Sequence, residues 1–342
     1  MIWLLLASML LTFLITLFIT PYFMRFFLNT SVIAIDQQKQ NKPVVPTSGG
    51  MPVVFSFFIG MLLCVAINTF WLKENLDLIQ IIAALLSIFA ISLMGFFDDL
   101  YVKKFLNKNA SDAIEYRVGL KQWMKPLLTL FAAVPLMAVN AGVNSMVFPF
   151  IGVIDLGLLY PLLLLPIAIV AVSNATNMLA GINGLESGMM IIAASALGVW
   201  ALMNGRTEGA IIAFVGVASL LAFLKFNWSP AKMLPGDSLT YFSGAMFASA
   251  VIIGNVEKFG LVLFTPWIIE FFLKLRGGFK KRSYGDLQAG GWIKTPYKKI
   301  YSLTHVAMKL LGRKATERNI SLLLISFELL VVAIAFLTVK PI

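Results

Sequence analysis

The chain has 342 residues, is 59% hydrophobic and 13% charged, and has a mean hydropathy of +0.89. That composition excludes a water-soluble globular protein and a disordered chain, and marks an integral membrane protein. Its one cysteine, Cys64, lies in an apolar run and excludes intrachain disulfides, and the formal net charge of +11 asks for an anionic partner or an oriented membrane topology.

Apolar stretches of roughly 17–25 residues, the length that crosses a bilayer, recur ten times along the chain. In order they cover residues 2–24, 51–71, 78–96, 124–142, 157–174, 186–203, 208–225, 238–255, 259–275 and 318–339. The first has no basic residues before it and no small-residue cleavage pattern, so it reads as a retained span rather than a signal peptide. No internal repeat is evident, which disfavours transporter folds built from duplicated halves. The expected fold is all-α: a polytopic membrane protein of about ten transmembrane helices in a single domain covering residues 1–342.

Charge placement orients these helices. Loops after odd-numbered spans, including the stretch from Lys274 to Arg318 that contains the 276–317 substrate loop, hold 23 of the 27 basic residues, whereas the opposite loops and the tail hold only Lys73, Arg206, Lys258 and Lys340. By the positive-inside rule the rich face is cytoplasmic, and both termini fall on the non-cytoplasmic side. Topology and attraction to anionic lipid absorb most of the positive charge. No basic–aromatic interleaving of the kind single strands require is present, so nucleic acid is not an expected partner.

The unusual polar residues all map to that same face. Asp98 and Asp99 end the third span in GFFDD, and Lys121 and Lys125 precede or open the fourth. SNATNMLAGINGLESG (Ser173–Gly188) joins the fifth and sixth, Asp237 opens the eighth, and Arg276, Lys280, Lys281 and Arg282 follow the ninth. An unpaired polar group in hydrocarbon costs several kcal/mol, so such a cluster must line an aqueous or protein-enclosed site. Asn174 and Asn177 lie three apart and share a helix face. Carboxylates, amides and cations at one interface suit a metal–phosphate site. Mg²⁺ takes hard oxygen ligands and substrate phosphates, and Lys and Arg neutralise the remaining phosphate charge. Asp237 follows Pro235-Gly236 at a helix start, where backbone N–H groups also favour an anion.

Plainer explanations exist for each residue. The alternatives are an N-cap for Asp237, an interfacial helix end for Asp98 and Asp99, interhelical hydrogen bonding for the asparagines, and topology charges for Lys121, Lys280, Lys281 and Arg282. His305 has no second metal-type ligand at useful spacing and reads as structural. Glu270 and Glu328 fall inside apolar runs without an assigned role.

PTSGG (Pro46–Gly50), GFFDD, NATNMLAGINGLESG, NWSP and GDS together resemble the polyprenyl-phosphate N-acetylhexosamine-1-phosphate transferase superfamily. The asparagine segment is more similar to the eukaryotic and archaeal dolichyl-phosphate GlcNAc-1-phosphotransferases than to the bacterial branches. The resemblance implies an enzyme that transfers GlcNAc-1-phosphate from UDP-GlcNAc to a polyprenyl (dolichyl) phosphate. The products would be polyprenyl-diphospho-GlcNAc and UMP, and the reaction the first step of lipid-linked oligosaccharide assembly for N-glycosylation. It implies Mg²⁺, with Mn²⁺ as an alternative ion, held by Asp237 and Asn177. It further implies catalytic roles for Asp98, Asp99 and Lys125, and substrate contacts from Asn174, Asn183 (nucleoside) and Arg282 (pyrophosphate). The setting would be a cell membrane or an endoplasmic reticulum membrane with the site on the cytoplasmic face, and a homodimer is left open. Three departures from bacterial members stand out. Val102 occupies the last position of their DDxxD motif, Ala180 replaces an aspartate, and their HxHH motif is missing, His305 being the only histidine.

A phosphate monoester has its second pKa near ~6, so a lipid phosphate is largely dianionic at neutral pH and needs little help from a general base. Two other readings remain: a bacterial-type transferase of another UDP-HexNAc to undecaprenyl phosphate, and a transporter whose polar residues form a path. A transporter should carry those residues to the bilayer midplane and to both faces. Here they gather at one.

Overall fold

The computed structural model describes residues 2–100, 102–105, 114–117, 120–121, 123–148 and 152–341. Lys108, one of the charges used for orientation, lies outside them. The helices are α1 (Ile2–Asn29), α2 (Gly50–Leu72, its last turn π-wound), α3 (Leu78–Leu100), α4 (Met124–Ala132), α5 (Val134–Ala138), α6 (Tyr160–Met178, its first turn π-wound), α7 (Leu185–Met203), α8 (Thr207–Asn227), α9 (Gly236–Gly254), α10 (Glu257–Leu263), α11 (Thr265–Arg276), α12 (Leu303–Leu311) and α13 (Glu317–Thr338).

Among the described residues, seven helices are long and apolar enough to cross a membrane: α1, α2, α3, α6, α7, α8 and α13. The other three expected spans depart from that length or composition for physical reasons. The fourth is a short apolar segment, Met124–Ala138, interrupted at Ala133 just ahead of Pro135. The eighth, α9, is diluted by Asp237, Ser238, Thr240, Ser243 and Ser249. The ninth is two helices rather than one, because α10 stops at Leu263 and α11 restarts at Thr265 with Pro266 in its first turn. The third expected span is longer than its apolar run, so Asp98 and Asp99 belong to the last turn of α3.

The all-helical expectation holds for the bundle and is corrected in the connections. Four antiparallel two-stranded hairpins are described: β1–β2 (Ile33–Ile35, Val44–Pro46), β3–β4 (Val102–Phe105, Ile114–Arg117), β5–β6 (Ser145–Phe148, Gly152–Asp155) and β7–β8 (Asp286–Leu287, Ile293–Lys294). Each is too short to make a layer, and the helices carry the core.

α9 is the axis of the bundle. It packs on α2, α3, α6, α7 and α8, and its side chains from Ser238 to Ala250 are buried. Around it, 72% of the apolar stretch of α7 and of α8 is buried, against 28% for α1 and 33% for α13, so the last two form the outer surface. Their exposed apolar residues, such as Trp3, Phe18 and Leu337, point away from the bundle as lipid-facing positions require. α1 buries Ser8, Thr12, Thr16 and Thr20, which recur every four residues on one face. The three threonine hydroxyls donate to carbonyls one turn earlier (2.7, 2.8 and 2.6 Å), so small residues allow close packing on α2 and α8 without unsatisfied threonine donors.

One contact registers the site. Gly95 in α3 lies against the backbone of Asp237 and Ser238, and a Cβ there would meet the Asp237 carbonyl oxygen at 2.5 Å. Only glycine allows this approach. It sets the last turn of α3, with Asp98 and Asp99, beside the first turn of α9.

Candidate active site

A cavity of about 460 Å³ opens at the end of the bundle where α3 and α6 finish and α4 and α9 begin. Its lining includes Lys125, Asn174, Asn177, Asn183, Asp237 and Arg282, and the size suits a nucleotide-sized ligand.

The α9 N-terminus is built around Asp99. The buried Asp99 carboxylate accepts the Asp237 N–H (2.8 Å), the Ser238 N–H (3.3 Å) and the Ser238 hydroxyl (2.9 Å). The two N–H groups are among those a helix start leaves without intrahelical partners. Gly236 makes the fit possible, with φ +69° and no Cβ where one would collide with Asp99 Oδ2. We expect Gly236→Ala to lower both activity and thermal stability, since the strained φ and the clash act together. A variant of unchanged Tm and turnover would contradict this packing.

Lys125, at the start of α4, bridges the two other aspartates. Its Nζ lies 3.0 Å from Asp98 Oδ2 and 2.7 Å from Asp237 Oδ2. Asp98 also accepts the backbone N–H of Leu120 from the connection before α4. At this point one ammonium faces two carboxylates, while Lys274, Lys281 and Arg282 bring further positive charge to other parts of the cavity lining.

The last turn of α6 supplies the amides. Asn177 donates from Nδ2 to Asp237 (3.0 Å), and its oxygen accepts from Thr240 (3.0 Å). Asn174 donates to Thr129 (3.2 Å) and to its own helix at Val170 (2.8 Å), and accepts from the Tyr241 hydroxyl (3.2 Å). Asn177 therefore reaches the carboxylate centre directly, whereas Asn174 is one layer back and orients Tyr241.

Asn183 sits at the far end of the cavity, 2.8 Å from Asp36 Oδ2. Asp36 is in turn 3.5 Å from Lys39, which pairs with Glu317 at the start of α13. Gln38 donates to the Gly181 carbonyl (2.9 Å), and Glu186 accepts the Gly181 N–H (2.7 Å), so that residue is held from both sides. Asp36, Gln38, Glu186, Thr240 and Tyr241 also line the cavity, and of these only Glu186 is marked in the sequence. Glu186 stands within the motif that carries the resemblance. Asp36 and Gln38 have no distinguishing signal, because only the fold brings the β1–β2 connection to residues 147 and 143 positions away.

Arg282 enters from the loop after α11. Its guanidinium pairs with Asp286 and lies 4.9 Å from the Tyr284 ring centre, at the cavity rim. Lys121 and Lys280 are not part of the described cavity lining, which fits their reading as topology charges, whereas Lys281, read the same way, lines the cavity with Arg282.

His305 is buried in α12, where its Nδ1 accepts the Tyr301 N–H, leaving the proton on Nε2. Burial, with Lys274 nearby, pushes its pKa down to about 4. The unfolded chain would bind this proton from about pH 6.5 downward, so this group lowers stability as pH falls from there towards 4 and has no effect above. A pH–rate profile should show no inflection between about pH 6 and 8 that His305→Gln removes. Loss of such an inflection in the variant would place His305 in the chemistry.

Similarity to known proteins decides the family. The model of glycosyl transferase family 4 matches residues 81–255, which enclose Asp98, Asp99, Lys125, Asn174, Asn177, Asn183 and Asp237. A Saccharolobus solfataricus protein is 33% identical over 310 residues, covering 89% of this chain and 88% of its own. The chain belongs to glycosyl transferase family 4. That S. solfataricus relative is provisionally named UDP-N-acetylglucosamine–dolichyl-phosphate N-acetylglucosaminephosphotransferase. A Dictyostelium discoideum protein bearing the same name outright is 28% identical over 260 residues, 66% of this chain and 59% of its own. A phospho-N-acetylmuramoyl-pentapeptide-transferase of Streptococcus pneumoniae is 29% identical over 280 residues, 78% of this chain and 81% of its own. The matched family segment thus holds the carboxylate, lysine and amide centre, while Arg282 and its loop lie beyond it.

Proposed function

We propose that this family 4 member transfers GlcNAc-1-phosphate from UDP-GlcNAc to a polyprenyl phosphate of the dolichyl type, releasing UMP. The observation that carries the reading is Lys125 held between Asp98 and Asp237, with Asn177 on the same Asp237 oxygen, in a nucleotide-sized cavity. Relatives named for this reaction match along most of the chain. The reaction starts lipid-linked oligosaccharide assembly for N-glycosylation.

A lipid phosphate oxygen attacks the β-phosphorus of the donor, and the bond from that phosphorus to the bridging oxygen breaks. UMP leaves with the electron pair. Little covalent chemistry is asked of the protein in such a transfer; positioning and charge stabilisation dominate. Lys125 offers its ammonium to the pyrophosphate, Asp98 keeps that ammonium at the cavity, and Arg282 adds charge from the rim. The acid-and-amide donor set fits Mg²⁺, which accepts one or two carboxylates and completes its shell with phosphates and water. Asp237 would hold it, with Asn177 joining through its oxygen after turning from Thr240; Mn²⁺ offers the same coordination. The ion supplies neutralisation of the pyrophosphate charge. Asn183 and the Gly181 backbone form the end suited to the nucleoside, and Asn174 supports the reacting centre through Tyr241.

Ten crossings complete the topology if Met124–Ala138, α9 and the α10–α11 pair accompany the seven long helices. The charge asymmetry then puts the cavity on the cytoplasmic face and both termini opposite. Lipid phosphate enters sideways and nucleotide sugar from water.

The test is purified protein with tritiated UDP-GlcNAc, dolichyl phosphate and Mg²⁺. Label should become extractable into organic solvent and be lost with EDTA. Label from another UDP-HexNAc alone would keep the chemistry and reassign the donor. No transfer from any nucleotide sugar would overturn the enzyme reading and favour a transporter.

A further inference from the structure

Arg282 lies on a loop with only the short β7–β8 hairpin for regular structure, yet the residues on either side of it are tied to three helices. Lys274, buried in the last turn of α11, reaches Ser283 Oγ (2.6 Å), the Lys281 carbonyl (3.0 Å) and Glu270 Oε1 (3.6 Å). The first two are hydrogen bonds, and Glu270 adds an ion-pair contact beyond hydrogen-bond distance. The Ser283 hydroxyl donates to the Met178 carbonyl at the end of α6 (3.2 Å), one residue beyond Asn177. The Ser283 carbonyl accepts from Thr304 on α12 (2.6 Å). Glu270 uses its other oxygen to accept the Leu303 N–H (2.7 Å) and the Ser302 hydroxyl (3.1 Å), fixing the start of α12 to α11.

A buried Lys–Glu pair is weak evidence for stability, since apolar residues of similar volume often serve as well or better. What this pair provides is position. Ser283 satisfies a terminal carbonyl of α6 that the helix itself leaves open. The loop is thereby registered on the same helix end that presents Asn174 and Asn177. Tyr284, under the Arg282 guanidinium, lies 3.8 Å from where a Cβ of Gly181 would be, which places the loop against the asparagine segment.

We propose that Lys274 and Ser283 are positioning residues that hold Arg282 at a fixed place over the cavity relative to Asn177. The proposal rests on Arg282 contacting the donor pyrophosphate, the role given above. A charge held in advance binds the donor without the cost of ordering a loop. Loosening it weakens donor binding more than it slows the chemical step.

The test is a double-mutant cycle on the full-length enzyme, reading KM for UDP-GlcNAc and kcat for Ser283→Ala, Arg282→Ala and the pair. Ser283→Ala should raise KM about tenfold with kcat within about threefold of the parent, as loss of binding shared by ground and transition states requires. In the Arg282→Ala background the same change should add nothing, and Ser283→Thr, which keeps the hydroxyl, should restore KM. Lys274→Met should behave as Ser283→Ala; if it does not fold, the serine variants carry the test. If Arg282→Ala leaves KM and kcat unchanged, the pyrophosphate role of Arg282 is wrong. If Arg282→Ala raises KM but Ser283→Ala is silent, or adds its full effect on top, the brace is wrong while that role stands.

Discussion

Replacing Asp237 by Ala should lower transfer by about 10³-fold or more while leaving a folded, monodisperse protein. The carboxylate stands at the cavity, 2.7 Å from Lys125 and 3.0 Å from Asn177, with its side chain 26% exposed. The fold therefore does not depend on it as a buried anchor. Its N–H, which Asp99 holds, is untouched by the substitution. Asp237→Asn keeps the shape but removes the charge, so it should fall nearly as far. Binding of Mn²⁺, followed by electron paramagnetic resonance with UDP-GlcNAc present, should weaken in both variants. Near-normal turnover in Asp237→Asn would show that neither a metal nor Lys125 depends on this charge.

The second large effect is expected at Asp99, and it differs in kind. Asp99→Ala removes an acceptor serving two N–H groups and one hydroxyl at the start of α9. Charge-assisted bonds of this sort and the loss of a cap together cost roughly 2–4 kcal/mol. Tm should fall, and activity should drop by about 10²-fold, because Asp237 moves when its helix end does. Asp98→Asn, in contrast, touches Lys125 and one loop amide. It should reduce activity with a much smaller change in Tm. A thermal scan of detergent-solubilised Asp98→Asn and Asp99→Ala, side by side with turnover, separates the two. Equal Tm losses would contradict the division of labour between these neighbours.

That division shows what sequence can and cannot supply. Asp98, Lys125, Asn177 and Asp237 are legible because polar residues at the ends of apolar runs are costly unless used, and the structure links these four through Lys125 and Asp237. Asp99 is legible as polar but not as a cap, since which of two adjacent carboxylates turns inward depends on how α3 meets α9 at Gly95. The break in the ninth apolar run has a visible signal in Pro266, outweighed by continuous hydrophobicity on both sides. The hairpins escape a sequence reading because strands of two to four residues leave no periodicity. Asp36 looks like any solvated loop charge; only tertiary structure sets it against Asn183. Glu270, without a role in sequence, holds the start of α12.

The central claim is that a phosphosugar, not a sugar alone, leaves the donor. It is tested most directly with UDP-GlcNAc carrying ³²P in the β-phosphate and ³H in the sugar, incubated with the purified protein, Mg²⁺ and dolichyl phosphate. Both labels should enter the lipid in the donor's ratio, with unlabelled UMP as the water-soluble product. Tritium in the lipid with ³²P released as UDP would contradict the account, since the bond broken would then be the one to the sugar.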